Sequence, residues 1–130
     1  YDIVLDGTDN VDTRYMVNRA CVIQKVPLVS GALTQWEGQL SVFDPDQSGP
    51  CYQCVFPEAP KAEISGTCAR VGVFAALPGV IGSLMAGEVL KYLLDAGKPL
   101  RGKLAIYNIL DAETRVISTK VLADCPICQS

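Results

Sequence analysis

Ile3-Val4-Leu5-Asp6-Gly7-Thr8-Asp9-Asn10 is the stretch from which the fold can be read. A short β-branched, apolar run ends in a polar turn, and a helical pattern over Val11–Gln24 follows it. Strand, turn and helix in that order make one βα unit of an open parallel sheet. Such sheets bind ligands beyond the carboxyl ends of their strands, so Thr8, Asp9 and Asn10 lie where chemistry is expected. A plainer role is open to the same turn: Asp9 or Asp12 can cap the helix through its free backbone N–H groups. The turn alone does not choose between the two.

Working outward, Tyr15, Val17, Cys21 and Val22 are spaced to pack the helix on the sheet, with Cys21 as a small buried apolar residue. Pro27 punctuates, and Leu28-Val29-Ser30 reads as the next parallel strand. Gly31-Ala32-Leu33-Thr34 and Trp36-Glu37-Gly38-Gln39 then lead into a strand over residues 40–43. Residues 44–50, rich in Pro, Asp and Gly, form a turn and loop. Much later, residues 104–107 and 114–118 read as two strands about the turn Asp111-Ala112-Glu113, an antiparallel hairpin. A parallel beginning and an antiparallel end make the sheet mixed.

Between these parts, residues 57–67 are polar, contain proline and lack periodicity, so a solvent-exposed connection is expected. Cys68 closes it beside Arg70, a setting that lowers a thiol's pKa and raises its reactivity; an inert half-buried cysteine fits equally. Residues 71–87 carry no charge, but glycine, proline and serine interrupt the apolar content, so no membrane span is expected. Ala75, Gly79, Ser83 and Gly87 fall four apart, a face of small residues suited to close approach within the fold or across a dimer. Glu88 and Lys91 restore polarity, and the helix is expected to finish near Asp95, with Gly97 as its C′ residue and Pro99 beyond.

The cysteines add a second framework. Cys51-Tyr52-Gln53-Cys54 and Cys125-Pro126-Ile127-Cys128 are both C-x-x-C brackets. Each points two thiolates at one ion, and two brackets complete the closed tetrahedral four-cysteine site of structural zinc. Two disulfides, a redox dithiol or an iron–sulfur role would use the same residues. Neither bracket begins an apolar periodic run, which speaks against redox use. A four-ligand site has no open position, so zinc here would be scaffold.

Composition narrows the rest. The 130 residues suffice for one hydrophobic core, and 49% hydrophobic with 19% charged residues is ordinary for a globular domain. The net charge is −3 and no basic run is present, which argues against a nucleic-acid partner. The chain has no histidine, which excludes Ser-His-Asp and Cys-His catalysis and every His-ligated metal. Six cysteines, two outside the brackets, suit a reducing cytosol, so a cytoplasmic location is expected. No basic signal region precedes the first strand, and the chain opens without Met, as a piece of a longer protein would.

These motifs together resemble the MoeB/ThiF (HesA) family of ubiquitin-activating-type adenylyltransferases. The resemblance rests on Leu5-Asp6-Gly7-Thr8-Asp9-Asn10, Arg14, Asn18 with Ala20-Cys21, Gly31-Ala32 and Glu37-Gly38-Gln39. It extends through the first cysteine bracket, Gly79-Val80-Ile81-Gly82-Ser83-Leu84 and Asp124 with the second bracket. It implies an α/β fold, the C-terminal part of a Rossmann-like ubiquitin-activating-type domain with a mixed sheet and a four-cysteine zinc site, spanning residues 1–130. It implies a reaction in which a small ubiquitin-fold sulfur carrier, MoaD- or ThiS-like, is adenylated by ATP at its C-terminal carboxylate. On this resemblance Asp9 works with Mg2+ and ATP, Asn10 shares the nucleotide contact, and Arg14 is a supporting active-site cation. Cys68 stands where some members carry the cysteine that takes over the activated carrier. Cys51, Cys54, Cys125 and Cys128 match the family's zinc ligands, and the family implies a homodimer. Molybdopterin and thiamine biosynthesis both use such carriers; Glu37-Gly38-Gln39 after Trp36 leans toward the former.

One departure shapes the expectation. The family's glycine-rich phosphate loop, ribose-binding acid and triphosphate-binding cations lie upstream of these motifs, and no G-x-G-x-x-G occurs here. The chain resembles the carrier-binding, zinc-bearing half, and on its own is expected to be inactive. A non-catalytic zinc-stabilised module that grips a ubiquitin-fold partner is the alternative.

Overall fold

A computed structural model describes residues 1–60 and 72–129. Cys68, Arg70 and most of the polar connection before them lie outside the described residues. The sheet has five strands in chain order: β1 (Val4–Asp6), β2 (Leu28–Leu33), β3 (Glu37–Phe43), β4 (Lys103–Asn108) and β5 (Glu113–Ser118). β1 and β2 run parallel, joined by the helix α1 (Val11–Gln24). Every later pair is antiparallel, in the registers Leu28↔Phe43, Leu40↔Ala105 and Lys103↔Ser118. The mixed sheet expected from the sequence is present, with β2 in its parallel place and the late hairpin formed.

Two strands are longer than their apolar cores announce. β2 continues through Gly31 to Leu33 and β3 begins at Glu37, so a tight connection joins them and Thr34 N–H bonds to the Glu37 carbonyl at 2.8 Å. Glycines at 31 and 38 weaken strand propensity, which hides this from a sequence reading. The structure explains them. A Cβ at Gly31 would collide with the Met85 sulfur, and one at Gly38 with the Ile81 side chain. Both glycines let the long helix α3 (Leu77–Leu94) sink into the sheet.

Alternation along the strands sorts the core into two layers. Val29, Leu40, Val42 and Ala105 meet Leu77, Ile81 and Met85 of α3. On the other side Leu28 and Phe43 meet Cys21 of α1 and Tyr52 of the one-turn helix α2 (Tyr52–Val55). Residues 28–29 and 42–43 are therefore buried on both faces, as in the middle of a helix-covered sheet. β5 is different: all six residues are exposed.

α3 begins with Pro78 in its first turn, where a missing N–H costs nothing. Its buried stripe is Leu77, Ile81, Met85 and Glu88, so the small residues Gly79 and Ser83 face away from the sheet and nothing lies within 4 Å of a Cβ at Gly79, Gly82 or Gly87. Within the fold, close approach is achieved by glycines in the sheet with large residues on the helix, the reverse of the arrangement expected there. Glu88, expected to restore an exposed polar face, is buried: Oε2 accepts the Leu100 N–H at 2.8 Å and Oε1 pairs with Lys91. The helix ends where expected, but the left-handed residue that caps it is Asp95, with Gly97, also at positive φ, two residues beyond. The Ala96 N–H returns to the Lys91 carbonyl, closing the turn. At 18 residues and mean hydropathy 1.3, α3 is long and apolar enough to cross a membrane by length and composition; in this fold its inner stripe forms the centre of the larger core layer.

Candidate active-site turn and metal centre

Thr8-Asp9-Asn10 leaves the carboxyl end of β1 and enters α1, as the βα reading requires. The helix cap is Asn10, neither Asp9 nor Asp12: its Oδ1 accepts the Thr13 N–H at 3.0 Å and the Thr13 hydroxyl at 3.3 Å. Asn10 has extended backbone, φ −109° and ψ 121°, as a cap residue must. Asp9 is thereby left unused. It is exposed, and among the described residues no hydrogen bond or ion pair engages its carboxylate.

The residue beneath it is held on three sides. Asp6, buried at the end of β1, accepts the Thr8 N–H at 2.9 Å and the Thr8 hydroxyl at 2.7 Å through Oδ1. Arg14, one turn into α1, donates to the Thr8 carbonyl and to the Gly31 carbonyl at 2.8 Å. Gly31 stands one residue past Asp6↔Ser30, the last pair of β1 with β2, so the guanidinium serves a carbonyl that β1 is too short to reach. Arg14 is therefore buried under the turn and its charge is spent on two carbonyls, not presented on the turn's outer side. A fixed pedestal carries a free carboxylate.

Arg14, Asn18 and Cys21 form the buried stripe of α1. Sequence reasoning favoured Tyr15, Val17, Cys21 and Val22 for packing; of these only Cys21 is fully buried. Burial pushes the Cys21 thiol up, and the Asp6 charge adds to the effect. It is a neutral core residue. Tyr15 instead donates its hydroxyl to the Phe56 carbonyl at 2.6 Å and meets the Tyr52 ring edge-on, with centroids 5.3 Å apart. The Tyr52 ring also packs on Phe43 and Phe56. These contacts tie α1 to the first cysteine bracket.

The four bracket cysteines come together, although 74 residues separate Cys51 from Cys125. Their sulfurs all lie within 4.8 Å of one another. Measured edges are 3.9 Å for Cys51–Cys54, 3.7 Å for Cys51–Cys125 and 3.3 Å for Cys54–Cys128. A tetrahedron with metal–sulfur bonds of about 2.3 Å has edges of about 3.8 Å, so the donor set fits one tetrahedral ion. The sulfurs are too far apart for disulfides, and all four cysteines are free. Three are buried and Cys128 is partly exposed. Cys51 caps the one-turn α2, so the bracket does open a short helix, contrary to its flat apolar pattern.

Without an ion the thiols are unequal. Burial drives Cys54 up to about 12, outweighing backbone N–H groups that stabilise its thiolate. Burial likewise raises Cys51. Burial also opposes ionisation of Cys125, but the N–H groups of Cys128 and Ile127 and the neighbouring sulfurs prevail, and it falls to about 7. A cavity of about 510 Å3 touches Cys51 and Cys128 between the end of α1, the Pro45–Pro50 loop and Gln129, giving an access route from solvent.

Two kinds of functional residue escaped the sequence reading. Asp6 was given no role, Thr8 only its place in the turn, and Asn18 a place in the resemblance without a role. The signal was there: Arg14 and Asn18 sit four apart, with Cys21 three beyond, on one helical stripe. Polar residues on the stripe that faces the core have partners to find.

A family model described as the ThiF family matches residues 1–127. Among curated proteins, the sulfur carrier protein adenylyltransferase of Thermus thermophilus is 47% identical, matching 98% of this chain and 49% of its own length. The SAMP-activating enzyme E1 of Haloferax volcanii is 42% identical over 98% of this chain and 46% of its own. An adenylyltransferase and sulfurtransferase MOCS3 from Culex quinquefasciatus is 46% identical over 98% of this chain and 29% of its own. The chain thus spans half or less of the length of these relatives. Among solved structures, E. coli MccB with ATP superposes with a TM-score of 0.80 at 20% identity, over 99% of this chain and 40% of that one. That likeness speaks for the fold.

Proposed function

This chain belongs to the ThiF family, and from that membership we propose that it is the carrier-binding, metal-bearing C-terminal portion of a single adenylyltransferase domain. The substrate is the C-terminal carboxylate of a small ubiquitin-fold sulfur carrier, of the molybdopterin or the thiamine type. A carboxylate oxygen attacks the α-phosphorus of ATP, the bond to the bridging oxygen breaks, and an acyl-adenylate and pyrophosphate result.

One observation carries the reading: an exposed Asp9 carboxylate that no described residue engages, on a turn held from below by Asp6 and Arg14 through Thr8. A single protein carboxylate beside substrate phosphates is how Mg2+ is commonly held, and the ion would offset the charge of the departing pyrophosphate. Asp9 is the ligand in this reading, and Asn10, whose oxygen is spent on the helix cap, has its amide NH2 for the nucleotide. Arg14 acts through Thr8 as a positioning residue. Cys68 is the residue that would accept the activated carrier covalently, in a step following adenylation.

Cys51, Cys54, Cys125 and Cys128 would hold a structural Zn2+ as four thiolates, fixing the far end of the chain to α2. The assembly is a homodimer in the cytoplasm, and the upstream half supplies the remaining phosphate contacts. ATP–pyrophosphate exchange by the full-length protein tests the reading, with molybdopterin-type and thiamine-type carriers supplied in turn. Exchange that requires one carrier and disappears in Asp9→Asn supports it. A folded, metal-loaded protein that exchanges with neither refutes it in favour of a non-catalytic module.

A further inference from the structure

Asn18 has neither end of its amide free. It is 1% exposed, its Oδ1 accepts the Tyr52 N–H at 2.9 Å, and its Nδ2 donates to the Cys51 sulfur at 3.6 Å. The orientation follows from chemistry: a backbone N–H only donates, so the oxygen must face Tyr52 and the NH2 must face sulfur. A sulfur facing an N–H is an acceptor, weak as a thiol and stronger as the thiolate of a metal ligand.

We infer that Asn18 is a positioning residue for the metal centre, orienting and partly neutralising the Cys51 thiolate from outside the ligand set. The inference rests on the metal reading of the four cysteines. Four thiolates around a divalent ion leave a formal charge of −2, and here three of the four ligands are buried. A buried anion needs donors. Backbone N–H groups serve Cys54 and Cys125, Gln129 Nε2 stands 3.7 Å from the Cys128 sulfur, and Asn18 brings a donor from α1 across to Cys51. By holding the Tyr52 N–H with its other end, the same side chain also fixes the first residue of the turn between Cys51 and Cys54. Partners of this kind commonly contribute 10–100-fold to metal affinity.

The test uses the full-length protein and metal ions alone. Asn18→Asp keeps an oxygen for the Tyr52 N–H and removes the donor to sulfur. Asn18→Ala removes both. In Asn18→Asp, Zn2+ affinity measured by chelator competition should fall about 10–100-fold. In the Co2+-loaded form the sulfur-to-metal charge-transfer band should shift, a change that lost packing alone does not cause. If Asn18→Asp binds Zn2+ as the wild type does and leaves that band in place, while Asn18→Ala is destabilised, Asn18 serves only α2 and the inference falls. Should Asn18→Asp not fold, the wild type decides. The side-chain amide protons of Asn18, followed by NMR, should shift on Cd2+ loading, and identical shifts with and without Cd2+ overturn the inference. A wild type that binds none of these ions removes the inference and the metal reading together.

Discussion

The Asp9 turn and the cysteine cluster are opposites hung on one helix. At the cluster the sulfurs are drawn within 4.8 Å of one another, three of four buried, with Asn18 at their back. At the turn, Thr8 is held through its N–H, hydroxyl and carbonyl, while Asp9 faces solvent with a carboxylate that no described residue engages. α1 spans 14 residues, about 21 Å, with Asn10 at its start and Val22 of its last turn packed on the cysteines. Its inner stripe reaches the turn through Arg14 and the cluster through Asn18. Saturated groups hold shape and an unsaturated one is available for chemistry, so the same helix separates the two tasks by leaving different things undone.

The hardest attempt to break this contrast removes that exposed carboxylate. Asp9→Asn should lower ATP–pyrophosphate exchange of the full-length protein on the order of 10²–10³-fold. Its melting temperature should hardly move, since an exposed substitution is worth within about 0.5 kcal/mol. A variant that melts early would mean the carboxylate is structural and the contrast false.

At the cluster the corresponding stress is acid. Cys51 and Cys54 are raised above their ordinary 9.0, so both are neutral thiols around pH 7 and must release protons when a metal binds. At least two protons leave, so each unit of falling pH should weaken metal affinity by about 100-fold or more. Below about 7 the dependence should steepen, because Cys125 then protonates as well. Chelator competition between pH 6 and 8 measures the slope, while exchange by metal-loaded protein should not follow it. For the metal-free fold the sign runs the other way on the alkaline side. The Cys54 contribution is whole below pH 9 and is lost as pH rises toward about 12.

Arg14→Lys sharpens the picture from between the two regions. Lysine cannot span both the Thr8 and Gly31 carbonyls as the guanidinium fork does, and one stays buried without a donor, at a cost of about 1–3 kcal/mol in chemical denaturation. Exchange should fall further than this stability loss accounts for, through misplacement of Asp9, while Zn2+ affinity is retained. The smallest effect belongs to the cap. Asn10→Ala should cost about 1 kcal/mol, and Asn10→Asp should restore it. Exchange that stays low in the restored Asn10→Asp would separate a nucleotide contact from capping.

Much of this was written in the chain because it depends on local pattern. The βα unit, the bounds of α1, the late hairpin and the pairing of the two brackets all follow from periodicity, turn residues and C-x-x-C spacing. What escaped is settled across the fold. Gly31 and Gly38 look like strand breakers until Met85 and Ile81 are seen in the space they vacate. Glu88 reads as surface until the Leu100 N–H is found on it. Asp6 and Asn18 acquire roles only through Thr8, Tyr52 and Cys51, the last two more than 30 residues from Asn18. A polar side chain announces that it needs a partner; only the folded chain names it.

Gly31 has one more consequence, for divergence among descendants of this sequence. Met85 presses on it from α3 and Arg14 takes its carbonyl from α1. The interior is too dense to absorb an added methyl there without movement. The Met85 side chain meets Gly31 with its flexible far end and can turn aside for an alanine there, whereas the β-branched Ile81 at Gly38 is stiffer, so alanine at 38 requires residue 81 to recede first. Positions 38 and 81 should therefore drift as a linked couple, with the change on the helix coming first, and positions 31 and 85 more loosely.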